Sequence, residues 1–168
     1  MKISDNTKEV LKNFSTINSG IRVKTGNKLE TISNMKNILA VATVSESFPT
    51  DFSIYNLPEF LGATSLLEDP DFEFGESSLS IADNNSKLAY FYASEGMVVA
   101  PDKMITMPDA EISFKVTSTL LGDLQKASSV LGVNDLVLES DGTTVSLTVS
   151  DKKNAASNTF SRVVGQGD

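Results

Sequence analysis

Apolar positions near the start of the chain recur at helical spacing. Val10, Leu11, Phe14 and Ile17 fall on one side of a helix predicted over Ser4 to Thr16. Ser4 suits its N-cap, and Asp5 places a carboxylate in the first turn, where the helix dipole favours it. Turns at Gly20 and Gly26-Asn27 then separate short strands at Ile21–Val23, Leu29–Ile32 and Ile38–Val44, and alternation marks another at Asp51–Tyr55. A second helix is predicted over Leu57 to Leu67, with Pro58 in its first turn and a stripe of Leu57, Phe60, Leu61, Thr64 and Leu67. Strands at Phe72–Phe74, Leu79–Ala82 and Leu88–Tyr92 follow, the last aromatic enough for a sheet edge or an interface.

The pattern breaks between Glu95 and Ala110. Two prolines, three methionines and no clear period predict an extended connector there. Beyond it, Ile112, Phe114 and Val116 alternate as a strand. A helix over Ser118 to Leu131 is expected to bury Leu120, Leu121, Leu124, Ala127 and Leu131. Leu136–Leu138 and Val145–Val149 flank a hairpin turn at Asp141-Gly142, and Thr159–Val163 makes a last strand. Each side of the connector therefore carries an amphipathic helix, a Gly-containing turn and alternating strands. The expected class is α+β, with repeated helix-plus-antiparallel-strand units in two lobes, 1–94 and 111–168, joined by 95–110. The second lobe has one helix where the first has two, so it stands incomplete.

Composition narrows the chemistry. The 168 residues include no cysteine and no histidine, which removes disulfides, thiolate and His-ligated metal sites, and Ser-His-Asp or Cys-His catalysis. The acidic run Glu68 to Glu73 lacks the order of a Ca²⁺ loop and contains Pro70, so a solvated turn is the better reading. No phosphate loop or nucleophile elbow occurs, and no cofactor or metal is expected. A catalytic carboxylate pair leaves no spacing signature in sequence and has no positive support here, so an enzyme is the least favoured reading. No apolar run follows the first residues, so neither a signal peptide nor a membrane span is expected. The net charge is −8, yet residues 1–44 carry seven basic and three acidic groups, whereas 45–112 carry two and thirteen. An acidic chain approaches nucleic acid only if its basic groups share a face. Lys8, Lys12 and Lys126 lie on polar helix faces, as phosphate contacts or as ordinary solvated groups. Met97, Val98, Val99, Met104 and Met107 in the connector read as core filler or as an adaptable groove.

Several blocks resemble a known family. They are Leu11-Lys12-Asn13-Phe14-Ser15-Thr16-Ile17-Asn18-Ser19-Gly20, then Ile54-Tyr55-Asn56-Leu57 with Phe60-Leu61-Gly62 and Ser65-Leu66. Ile81-Ala82-Asp83, Val98-Val99-Ala100-Pro101 with Lys103, and Asp123-Leu124-Gln125 continue in the same order. Here the chain resembles the sliding clamps, the DNA polymerase processivity factors of T-even-type bacteriophages. The resemblance implies the DNA-clamp fold: a homotrimeric ring around double-stranded DNA, contacted without regard to sequence, with helices lining the hole and sheet outside. It further implies tethering of the replicative DNA polymerase, contact with a clamp loader, no membrane, and residence in the cytoplasm of the infected bacterial host. Family chains are longer, so this one looks truncated after Val163-Val164. A β-rich structural or adhesion module of a virion is the alternative reading.

With that resemblance, Lys8, Lys12 and Lys126 are expected to face DNA. Subunits are expected to join head to tail by sheet edges, through Lys87, Tyr90, Phe91 and Tyr92 from one and Thr159, Phe160 and Arg162 from the next. Partner tails are expected to dock along Val98, Val99, Pro101, Met104 and Met107.

Overall fold

Helix α1, Asp5–Ser15, starts where its cap predicts: the Ser4 hydroxyl accepts from the Thr7 N–H at 3.3 Å. The computed structural model describes residues 1–102, 109 and 114–166, which fall into two units, Met1–Ile105 and Thr106–Asp168. In the first unit Leu11 and Phe14 bury the apolar face of α1, while Val10 packs at its margin. Strand β1, Ile21–Val23, pairs antiparallel with β4, Phe52–Ile54. Strands β2, Gly26–Ile32, and β3, Leu39–Phe48, form a long hairpin, and both exceed their predicted lengths. The alternation of β3 continues inward through Val44, Glu46 and Phe48, and the acid at its middle position hides the pattern from a hydrophobic reading.

Helix α2 spans Leu57–Thr64, ending before the predicted Leu67; Asn56 caps it by accepting from the Glu59 N–H at 3.2 Å. Strands β5, Asp71–Phe74, β6, Ser78–Ala82, and β7, Lys87–Phe91, form an antiparallel sheet with β7 on an edge. The unit has one continuous core, in which Leu29, Ile54, Leu57 and Ile81 are all but sealed from solvent. Phe48, Phe52, Phe74 and Tyr92 form an aromatic chain within or against it, with centroids 5.3 to 6.0 Å apart.

The connector is not extended from its first residue: Glu95–Met97 make a short 3₁₀ turn. Val98 then takes an extended conformation and buries its side chain at 6% exposure.

In the second unit α3, Ser118–Leu131, is capped by Thr117 and ended by Gly132 in the left-handed region at φ 68°. Strands β8, Asp135–Ser140, β9, Thr144–Ser150, and β10, Phe160–Gln166, form one antiparallel sheet in the order β10-β9-β8. Of the predicted strand through Ile112, Phe114 and Val116, Ile112 lies outside the described residues; Phe114 to Thr117 join no ladder, and Phe114 packs on the core instead. Leu121 was expected inside and is 43% exposed. The spacing of Leu120, Leu124, Ala127 and Leu131 completes one face, and Leu121 stands about 100° away from it. Among the described residues this unit has one helix and the first has two.

Candidate functional site

Three surfaces carry the residues singled out from sequence. On α1, Lys8 and Lys12 line a groove of about 530 Å³ closed on its other side by Pro58, Leu61 and Thr64 of α2. The groove exists because α1 and α2 pack side by side and leave their polar rims apart. Its charge is mixed. Lys8 Nζ pairs with Asp5 at 3.1 Å, Glu9 lies beside it, and Lys12 is exposed. Lys126 is exposed on α3 in the second unit, one turn after Asp123, whose carboxylate accepts from Arg162 at 3.0 Å.

The aromatic edge divides by strand alternation. Tyr90 points inward, with its ring edge-on to Phe60 at 5.2 Å and its hydroxyl donating to Asn56 O at 3.3 Å. Tyr92, one residue past β7, lies against Phe52. Phe91 alone of the three stands out, at 72% exposure, on the same face as the exposed Lys87. Burial pushes the hydroxyl pKa of both tyrosines up. In the second unit Thr159 precedes β10, and Phe160 packs against the core. Arg162 is exposed, lies 5.7 Å over the Phe160 ring and pairs with Asp123. Val163, the last residue of the predicted strand but not singled out there, is a large apolar group exposed on this edge, at 68% exposure.

The connector residues also part company. Val98 is buried against Gly20 and exposes little surface to a docking tail. Its Cγ1 lies 3.1 Å from where a Cβ on Gly20 would stand, so any larger residue there would push against the connector and need it to give by a few tenths of an ångström. Asn18 fastens it: Nδ2 donates to Val99 O and to Ile32 O, both at 2.9 Å, while Oδ1 accepts from Gly20 N at 3.0 Å. Val99 is outward-facing, and Pro101 lines a small pocket with Ala100. Met104 and Met107 lie outside the described residues. Residues Asn18 and Gly20 belong to the block quoted above, yet spacing alone assigns them only to a turn.

One further contact positions α1. Glu46 of β3 accepts from the Ser4 N–H at 2.5 Å and from the Thr7 hydroxyl. Burial by itself would raise its pKa, but the Thr7 and Ser4 donors outweigh this and bring it down to about 2. Among the described residues no group of acids is arranged to hold a metal ion, and no helix is long and apolar enough to cross a membrane.

Comparison with known proteins agrees with this architecture. The family model described as DNA polymerase processivity factor matches residues 4–100. The sliding clamp of Vibrio phage KVP40 is 32% identical over 174 residues, covering 100% of this chain and 79% of that protein. The sliding clamps of Enterobacteria phage T4 and Escherichia phage RB69 are 36% and 31% identical over 141 residues, covering 82% of this chain and 61% of each. Two solved structures of the Helicobacter pylori beta clamp, with diflunisal and with 3,4-difluorobenzamide, superpose with TM-scores of 0.52 and 0.56. They cover 98% of this chain at 19% and 18% identity, and 54% and 55% of theirs, a likeness that carries the fold alone. The virion-module alternative gains no support. A clamp-type fold, a family match through the whole first core and phage clamps over 30% identical lead to one conclusion: the chain belongs to the DNA polymerase processivity factor family, the sliding clamps.

Proposed function

We propose that this chain acts as a non-catalytic processivity factor. It assembles into a ring, a homotrimer, around double-stranded DNA and tethers the replicative DNA polymerase in the cytoplasm of an infected bacterium. The observation that carries the reading is the family match across α1, α2 and the core beneath them. The side-by-side helix pair supports a DNA-facing role, since it presents Lys8 and Lys12 along one groove. Contacts of this kind go to phosphates, so they are indifferent to sequence and weaken steeply with salt. Asp5 and Glu9 temper the attraction, which suits a protein that must slide. The sheet edges at Phe91 and Val163 support assembly by strand pairing, and the connector, reaching from the first unit, supports docking of polymerase and clamp-loader tails.

The test is duplex-DNA affinity across a salt series for the wild type and the Lys8→Glu, Lys12→Glu, Lys126→Glu triple variant. The variant is expected to lose most binding and to lower the salt slope by about one for each phosphate contact removed. An unchanged slope would place the DNA face elsewhere.

A further inference from the structure

The lysines of the α1 groove are not alike. Lys8 Nζ meets Asp5 Oδ1 at 3.1 Å, one turn back on the same helix. Lys12 makes no ion pair among the described residues. Two further carboxylates line the groove. Asp69 is taken by Lys2 Nζ at 2.8 Å, and Glu9 pairs with no lysine among the described residues.

Helix α3 repeats the spacing with a different outcome. Asp123 stands three residues before Lys126, as Asp5 does before Lys8. Its carboxylate, however, accepts from Arg162 at 3.0 Å, and Lys126 makes no ion pair among the described residues. Of the three lysines assigned to DNA, Lys8 is the one held by an acid of its own helix.

An exposed pair of this kind is worth little, so Lys8 leaves Asp5 readily. Asp5 is not stranded when it does. It lies in the first turn of α1, where the helix dipole favours a carboxylate, and its side chain is 97% exposed to water. A phosphate that draws Lys8 away therefore replaces one anionic oxygen by another.

We propose that Asp5 is a positioning residue that weakens the grip on DNA by competing with backbone phosphates for Lys8. The inference rests on the reading of the α1 groove as a DNA face and adds what limits one of its contacts. Lys8 passes from a phosphate to Asp5 and on to the next phosphate, an exchange of like for like that deepens no single position along the duplex. Lys12 and Lys126 supply the salt-dependent attraction. Glu9 acts only through the field of its charge.

The experiment measures duplex-DNA affinity of the full chain at low salt, with Asp5→Asn and Glu9→Gln each placed in the wild type and in Lys8→Gln. Thermal unfolding, with Asp5→Ser as a second neutral variant, separates a loss of α1 from a change of charge. With Lys8 present, Asp5→Asn is expected to tighten binding about two- to fivefold, the range of an exposed ion pair. In Lys8→Gln it should do no more than Glu9→Gln, whose own effect is the same in both backgrounds. A gain from Asp5→Asn that survives in full in Lys8→Gln overturns the exchange and leaves the DNA face standing. No gain from Asp5→Asn, with binding still weakened when Lys8 and Lys12 are both changed to Gln, does the same. A Lys8→Gln, Lys12→Gln protein that binds as the wild type does overturns the DNA face and the exchange together.

Discussion

Glu46 shows how one side chain can carry local order that composition hides. It occupies an inward position of β3 and accepts from donors at the start of α1, so its charge complements both the free N–H groups and the helix dipole. Its folded pKa, about 2, lies below the ordinary 4.5. The stabilisation is therefore complete above the ordinary value and is lost as pH falls through the folded one. Glu46→Gln is expected to lower stability at neutral pH by about 1–2 kcal/mol, the usual worth of a helix N-terminal cap. The gap in Tm between wild type and variant should close as pH drops from about 4.5 towards about 2. A gap that is constant with pH would show that shape, not charge, is what Glu46 supplies.

At the scale of elements, the helices are the more self-contained parts. α1 and α3 begin at Ser4 and Thr117 and bury stripes at regular spacing, both local properties. The beginning of the connector is the reverse case, because Val98 is buried by a turn some eighty residues earlier. A Cβ at Gly20 would stand 3.1 Å from Ile54 O and 3.2 Å from Tyr55 O, and backbone atoms cannot move aside cheaply. Gly20→Ala is expected to cost about 1–3 kcal/mol in urea unfolding. Asn18→Ala, which strips a donor from Val99 O and Ile32 O, should cost a similar amount, about 1–3 kcal/mol. It should also speed proteolysis near Ala100 more than elsewhere in the first unit. Uniform acceleration would mean that Asn18 supports the core generally and does not fasten the connector.

For the whole molecule the question is which edges meet. β7 and β10 are both edge strands, and an exposed edge with an apolar side chain on it invites pairing. Phe91→Asp and Val163→Asp are expected to reduce the solution mass at micromolar concentration to that of one chain without lowering Tm, since both side chains face solvent. Phe160→Asp is the poor choice: that ring packs on the core of the second unit, so its loss confuses unfolding with dissociation. A mass unaffected by the Phe91 and Val163 changes would move the subunit contact off these edges.

Elements with a local cause were legible in the sequence: the Ser4 cap and the Asp5 charge in the first turn, the stripes of α1 and α3, the Asp141-Gly142 hairpin, and the breakdown of period at Glu95. The order of helices and strands followed, and with the quoted blocks so did the family. Which lysines and aromatics stand free was not legible, because alternation gives a residue's side but not what lies across from it. Tyr90 and Tyr92 turn to Phe60 and Phe52, leaving Phe91 outside; Lys8 meets Asp5; Val98 sinks onto Gly20. The small pocket that Pro101 lines likewise reaches back to Arg22, nearly eighty positions earlier. Periodicity records which residues prefer burial, whereas a site depends on long-range contacts, and only the packed chain brings those partners together.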